Sequence, residues 1–400
     1  MAYRTRALTP AETPAARRLG REAFGMPDAD RPDDDPPDGS PWPGPGSHAL
    51  GTFAGDELAA RAVALELGTH VAGRELRTCG VAGMTVAAEH RGQGLTHPLL
   101  AELLLAARDR GEVIATLFAT APGIYRRLGF ETITTVDEVQ VPVSSAAAVR
   151  PGEPVRLRRA TATDVPAVRD CYAAWAGQRY GPLTRTGPAL ADTDEELLGD
   201  QDALTVATDS AGTVLGYACW DRGTLSERTL TVTELVAHTP HAYRALWRMF
   251  GAFAMKVDRV LLHAPAGDLA RSFLPSKDWQ VVAQEPYMLR VLDLPAALSA
   301  RGSRGGARGQ VRITVAGDEL GLVNGTFRIT ADGGELRCEP SAPAEGGPVL
   351  TAGGLSLAVT GAFSGADLRA AGHLTGGDAG TDRALEDLLH APPWQLRDTF

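Results

Sequence analysis

A short glycine-rich loop between an apolar strand and an apolar helix most constrains the fold of this chain. The strand ends near Val86, the helix spans residues 98–110, and Arg91 opens the loop sequence RGQG between them. Backbone N–H groups at such a turn, aimed by a helix N-terminus, bind phosphate well, and glycine lets a ligand approach the chain closely. The pattern alone fits a plain turn equally well. Because G-x-G-x-x-G and G-x-x-x-x-G-K-[ST] are absent, nicotinamide and ATP sites are disfavoured.

The chain divides into three units. Its 400 residues exceed the roughly 250–300 residues that one core organises. A shift in composition at 142–154 predicts a linker, after which VRLRRATATDVPAVRDCYAAWA restarts the strand, capped turn and helix seen near residue 4. This restart indicates an internal repeat that runs to about Asp293. Short strands with glycine-rich turns follow, and a helix over 382–390 closes the third unit, so we predict an α/β (α+β) protein.

Charge and composition exclude several classes of protein. A net charge of −10 argues against a nucleic-acid surface and tolerates cationic amines as ligands. No apolar run approaches the ~18 residues of a membrane span, and the N-terminus lacks a signal-peptide core, so we expect a cytoplasmic protein without a membrane partner. We expect neither a metal site nor a disulfide framework, because the four cysteines are far apart: Cys79, Cys171, Cys219 and Cys338.

The glycine-rich loop resembles the R-x-x-G-x-[GA] acyl-CoA loop of the GNAT acetyltransferases. The similarity is closer still to their Eis-like ("enhanced intracellular survival") branch, which also matches GIYRRLGFE at 123–131, the segments TELVAHTPHAYRALWR and MLRVLDLPAALSARG, and a terminal Phe. Thr96 departs from the general GNAT pattern, which usually has Gly or Ala there. The residues that match the loop are Arg91, Gly92, Gln93, Gly94, Leu95 and Thr96.

This resemblance implies tandem GNAT folds, each with a mixed central sheet flanked by helices, and a third domain. A catalytic GNAT domain is expected at 1–148, a central GNAT-like domain without a cofactor loop at 149–293, and a sterol-carrier-like domain at 294–400 that supplies a catalytic C-terminus. The implied activity is acetyl-CoA-dependent N-acetylation of a primary amine on a small molecule, in drug inactivation (antibiotic resistance) or natural-product tailoring. The implied assembly is a homohexamer.

The resemblance also implies roles at the active site. The backbone of Met84, Thr85 and Val86 pairs with the pantetheine arm, and the Val86 N–H donates to the thioester carbonyl. Tyr125 is the general acid that protonates the coenzyme A thiolate. The α-carboxylate of Phe400 is the general base. With an ordinary pKa near ~3.5 it needs desolvation, acts through water, or mainly holds the ammonium group.

The acceptor side leaves alternatives open. Members that acetylate aminoglycosides place carboxylates just before the terminal Phe and shortly after the first helix, where this chain has Thr399 and Met26. A polycationic aminoglycoside and a less charged amine are both compatible with the nearby aspartates. The segment 26–47 is either a solvated acidic loop or a lid. Two other functions stay open, a non-catalytic acyl-CoA-binding scaffold and, less favoured, a lipid carrier. The substrate-binding candidates are Phe24, Trp42 and Asp398.

Overall fold

The described part of the chain comprises residues 2–24, 42–71, 73–190, 193–199, 202–224, 226–274 and 276–400 of a computed structural model. Most of the proline- and aspartate-rich segment 26–47 lies outside it, and so does the side chain of Phe24. The predicted α/β (α+β) class is confirmed. Among the described residues, no helix is long and apolar enough to cross a membrane.

The first unit follows the predicted order of strands, loop, helix and strand. Helix α2 begins two residues earlier than predicted and ends at Gly111, whose φ of 93° is readily adopted by glycine. The elements are β1 (Tyr3–Ala7), α1 (Thr13–Phe24), β2 (Ser47–Ala54), β3 (Glu57–Val71), β4 (Arg74–Val86), α2 (Thr96–Arg110), β5 (Ile114–Phe118), α3 (Pro122–Arg126), β6 (Glu131–Pro142) and α4 (Val143–Ala147).

The predicted linker at 142–154 is in part structured, which corrects the composition-based expectation. Strand β6 runs to Pro142, and α4 packs against a helix of the central unit, α7 (Pro240–Gly251). Val143 and Ala146 of α4 are buried. The small and polar composition of this segment permits close helix packing, so composition alone mistook it for a linker.

The central unit repeats the first. Near its start, each repeat has an arginine, a threonine three residues after the arginine, and an acidic residue three residues after the threonine. In both repeats the threonine and the acidic residue form a capping box. The remaining elements are β7 (Arg156–Arg159), α5 (Val165–Ala176), β8 (Tyr180–Leu183), α6 (Asp194–Gly199), β9 (Ala203–Thr208), β10 (Val214–Asp221), β11 (Thr229–Ala237), β12 (Arg259–Pro265) and β13 (Gln280–Val291).

The two repeats share one sheet because they exchange their last strands. The strand order is β1-β2-β3-β4-β5-β13-β6-β12-β11-β10-β9-β7, with β8 paired to β3. Strand β13 of the central unit inserts between β5 and β6 of the first, and β6 pairs with β12 of the central unit. The exchange carries residues of the central unit to the edge of β5.

The third unit packs its own sheet, ordered β16-β15-β14-β17-β18, against the tandem repeat. Its closing helix was predicted at 382–390; the observed helix begins three residues earlier and ends one residue earlier. The elements are α8 (Leu294–Arg301), β14 (Arg308–Ala316), β15 (Gly325–Asp332), β16 (Glu335–Pro340), β17 (Val349–Thr351), α9 (Ala352–Thr360), α10 (Gly365–Ala370), β18 (Leu374–Thr375) and α11 (Ala379–Leu389).

Candidate active site

A cleft opens where β4 and β5 diverge. The two strands pair in parallel only over Thr78–Gly80 and Ile114–Thr116. Beyond that point a register shift against β3, at Gly83 with its φ of 57°, bends β4 away. The backbone of residues 81–86 therefore lacks a strand partner on the β5 side within the described chain. This is the stretch whose backbone is predicted to pair with the pantetheine arm.

One end of the cleft is suited to anions. A cavity of about 530 Å³ lies at the N-terminus of α2. Leu95 at the N-cap position makes no side-chain cap, so the first N–H groups of α2 remain available. Gly92 and Gly94 have φ of 78° and 73° with open space around their Cα atoms. The predicted loop residues that line this cavity are Val86, Arg91, Gly92, Gly94, Leu95 and Thr96.

The other end of the cleft holds Tyr125. A second cavity, of about 520 Å³, adjoins the first, since consecutive residues of α3 line the two. Tyr125 is 8% exposed, packs edge-on against Phe130, and has no hydrogen-bond partner for its hydroxyl among the described residues. Burial raises the pKa of Tyr125 above its ordinary value of 10.0. Its phenol therefore stays protonated at neutral pH and is free to donate.

Phe400 lines the same cavity as Tyr125. Its ring lies 5.4 Å from that of Phe118 and 6.4 Å from that of Tyr287. A Cβ on Gly80 would stand 3.0 Å from the Phe400 ring, so glycine leaves room for it on β4. The structure thus brings together the two residues predicted as acid and base.

Asp398 lines neither of the two cavities. It was expected at the substrate pocket, but it is 9% exposed and accepts a hydrogen bond from Arg185 Nε at 2.5 Å. The Tyr172 hydroxyl lies 2.9 Å from its other oxygen. Contacts with Arg185 and Tyr172 of the central unit, which the sequence of the tail alone does not reveal, bury this carboxylate there.

The other four predicted site residues that the structure describes differ in whether they line the cleft. Thr85 is buried, and its hydroxyl turns back to the Gly83 carbonyl (3.3 Å), so only its backbone can serve a ligand. Met84 lines the Tyr125 cavity. Gln93 is exposed at the loop tip and lines neither cavity. Trp42 lies 5.5 Å from the Arg61 guanidinium, outside both cavity linings.

The structure adds residues that sequence reasoning missed. Arg127 lines the anion end and pairs with no carboxylate among the described residues. It is part of the GIYRRLGFE segment that carries the family resemblance, so the sequence could have indicated it. Gln284 and Glu285 line the Tyr125 cavity from the exchanged strand β13. No local pattern marks them, because only the strand exchange brings them to this cleft.

The described residues of the central unit form no equivalent anion end before α7. Two residues separate β11 from α7, whereas nine separate β4 from α2. Thr239 caps α7 by accepting from the Ala242 N–H at 3.1 Å, so its helix terminus is already satisfied. A central unit without a cofactor loop remains a prediction.

Three protein-family models match the chain, each over one unit. An acetyltransferase (GNAT) domain matches residues 4–133, a second acetyltransferase (GNAT) domain matches 181–291, and a sterol carrier protein domain matches 294–395. Together the three matches span most of the chain in the order that the sequence predicted.

Relatives with curated names are N-acetyltransferases, the class of protein that the first two family models describe. A protein of Streptomyces griseus described as an uncharacterized N-acetyltransferase is 31% identical over 319 residues, which cover 73% of this chain and 74% of the relative. N-acetyltransferase Eis of Mycobacterium tuberculosis is 29% identical over 310 residues, 73% of each chain.

Solved structures share the whole architecture. A GCN5-related N-acetyltransferase from Kribbella flavida has a TM-score of 0.82 at 25% identity and covers 100% of this chain and 98% of its own. Eis1 from Mycobacterium abscessus has a TM-score of 0.76 at 23% identity, with 100% of both chains covered, and shows the fold.

Proposed function

Because this chain belongs to the Eis-like GNAT N-acetyltransferases, we propose that it transfers the acetyl group of acetyl-CoA to a primary amine of a small molecule. The observation that carries this proposal is the shared cavity of Tyr125 and Phe400, which adjoins the anion end of the cleft. An acid and a carboxylate are then available at the same place as an activated acyl group.

The described residues fit the coenzyme A diphosphate. Uncapped N–H groups at the start of α2, the open backbone at Gly92 and Gly94, and the guanidinium groups of Arg91 and Arg127 all lie at one cavity. We infer that these groups hold the diphosphate and that β4 aligns the pantetheine arm. Acetyl-CoA supplies the acyl group as a thioester.

The proposed reaction joins the amine nitrogen to the acetyl carbonyl carbon and breaks the carbon–sulfur bond. The Phe400 carboxylate accepts a proton from the attacking amine, and the Tyr125 hydroxyl donates one to the departing thiolate. Proton exchange with water then restores both groups. The products are the N-acetylamine and free coenzyme A.

The acceptor is proposed to be a cationic amine. Glu285 is the acidic side chain in the cavity lining among the described residues, and Phe400, whose α-carboxylate is the proposed base, lines the same cavity. Phe118 adds an apolar wall. This combination favours an amine with one or a few charges beside an apolar body, and it admits an aminoglycoside. Phe24 and Trp42 remain predicted acceptor contacts, and the homohexamer remains a prediction that light scattering tests.

The test is release of free coenzyme A thiol from acetyl-CoA with aminoglycosides, polyamines, lysine peptides and aryl-alkylamines as acceptors. Removing Phe400, or the change Tyr125→Phe, is expected to lower kcat by roughly 10²–10⁴-fold. Calorimetry with acetyl-CoA provides the control, since neither change alters the anion end.

The outcomes separate the two functional hypotheses. Turnover with at least one amine that falls in both variants supports the proposal. Tight acetyl-CoA binding with no turnover on any amine of the panel contradicts it and favours the non-catalytic scaffold.

A further inference from the structure

The last ten residues of the chain are ordered by contacts with other domains. Residues 391–400 form no helix or strand, and chain ends of this kind usually fray. Even so, Trp394 is 1% exposed and Leu396 is fully buried. The Gln395 N–H donates to the Tyr180 carbonyl at 2.7 Å, and the Trp394 carbonyl accepts from the Thr134 hydroxyl at 3.0 Å. The path of the tail is therefore fixed up to the residues next to Phe400.

Two ionic contacts with the central unit hold the tail next to Phe400. Arg185 Nε donates to Asp398 at 2.5 Å, while Arg185 Nη2 donates to Glu234 at 2.7 Å. One residue earlier, Arg397 Nη2 donates to Asp268 at 2.9 Å. A partly buried guanidinium bonded on two edges is held in one orientation, so Asp398 is held as well.

Backbone geometry at Arg185 indicates that its position is strongly determined. Its φ is 54°, in the left-handed region that is unfavourable for a non-glycine residue. Such a conformation persists where surrounding contacts over-determine it. Here those contacts are the ion pairs to Glu234 and Asp398 and the Tyr172 ring, which lies 3.7 Å from the guanidinium carbon.

Resting on the proposed function above, we propose that Arg185 and Asp398 are positioning residues that set the place of the Phe400 carboxylate in the active-site cavity. An ion pair whose carboxylate is buried adds little net stability, because apolar residues of similar volume often replace such a pair without loss, but its hydrogen bonds fix geometry. The domain without a cofactor loop thus contributes to catalysis by holding the tail. Asp398 acts through the chain and not through contact with the acceptor.

The first test measures the tail without any substrate. Carboxypeptidase release of Phe400 is followed in the wild-type chain, in Asp398→Asn and in Asp398→Ala. Both variants are expected to release Phe400 faster, because the Arg185 contact is weakened or lost. Asp258→Asn is the matched control, since it removes the carboxylate of an exposed ion pair with Arg228 within the central unit.

The second test measures catalysis with whichever amine of the panel gives turnover. Asp398→Ala is expected to lower kcat roughly 10–100-fold, as a displacement of about 1 Å does, with the KM for acetyl-CoA unchanged. In a chain that lacks Phe400 the same substitution is expected to have no further effect on kcat. If Asp398→Ala does not fold, Tyr172→Phe removes one hydrogen bond to the carboxylate and is expected to act in the same direction.

Each outcome decides the inference. Faster release of Phe400 together with a kcat loss that vanishes in the chain without Phe400 supports it. Unchanged kcat in a folded variant, or a loss that multiplies with the Phe400 deletion, overturns it. A wild-type chain that acetylates no amine overturns the proposed function instead, and the release assay then reports on the tail alone.

Discussion

Tyr125 shows how burial sets the chemistry of a single side chain. The short helix α3 places Tyr125 in the cavity lining, with its ring against Phe130. Removal from water disfavours the phenolate and raises the pKa of Tyr125 above 10.0. A general acid must carry its proton when the thiolate departs, so this environment suits the proposed role.

A pH profile follows from that pKa. The alkaline midpoint of wild-type kcat at saturating acetyl-CoA is expected to lie above pH 10, because burial raises the pKa of Tyr125 above its ordinary value of 10.0. The measurement is thiol release at constant ionic strength, with Tyr125→Phe as reference. An alkaline midpoint below pH 10 that Tyr125→Phe lacks would contradict the raised pKa.

At the scale of elements, each repeat begins with the same capping device, an arginine–acid ion pair at the turn before the first helix. Arg6 pairs with Glu12 in the first and Arg158 with Asp164 in the second, and in each case the acid also accepts from the backbone N–H of the preceding threonine. Each acid closes the turn that begins the following helix. The spacing is visible in the sequence because all the partners are local.

This device makes stability depend on pH. The Arg6 hydrogen bonds lower the pKa of Glu12 from 4.5 to about 2. A depressed folded-state pKa means that the contribution is present above pH 4.5 and is lost as the pH falls through about 2. We expect Glu12→Gln to lower the urea midpoint at neutral pH, with the difference from wild type shrinking as the pH falls below 4.5.

Glu339→Gln is the matched control, since it removes the same charge from an exposed pair with Arg328. Such exposed pairs contribute little, so its midpoint should stay near that of the wild type. Equal midpoints of wild type and Glu12→Gln at neutral pH would show that the device adds nothing to stability.

At the scale of the whole molecule, the exchanged strand β13 joins all three units. It lies between β5 and β6 and contributes Glu285 to the cavity lining. It also contacts the third unit through Arg290, whose Nη2 donates to Asp318 at 2.6 Å. The third unit has a cavity of about 250 Å³, below the ~300–1,000 Å³ of typical small-molecule sites. The third unit packs against the tandem repeat, so we expect it to have a packing role, and lipid carriage remains the less favoured hypothesis.

The buried pair on β13 gives a stability prediction. Arg290 and Asp318 are 1% and 0% exposed at their side chains. Asp318→Ala leaves a buried guanidinium without its counter-ion and is expected to cost about 3–5 kcal/mol in free energy of unfolding. Urea unfolding is the measurement. The double change Arg290→Met with Asp318→Leu should recover part of that loss, because the Val323 N–H that donates to Asp318 at 3.0 Å stays unpaired in both variants. A double variant as unstable as the single one would contradict this explanation.

The sequence by itself determined what depends on neighbours along the chain. The loop at Arg91, the apolar helix after it, the repeated capping box and the matched segment around Tyr125 are all local, and they sufficed for the fold class and the family. The tertiary structure decided the rest, because its contacts join distant segments. It brought Phe400 to Tyr125, carried Glu285 in on an exchanged strand, and turned Asp398 into the central unit. Local periodicity records which residues are buried, but not which domain buries them.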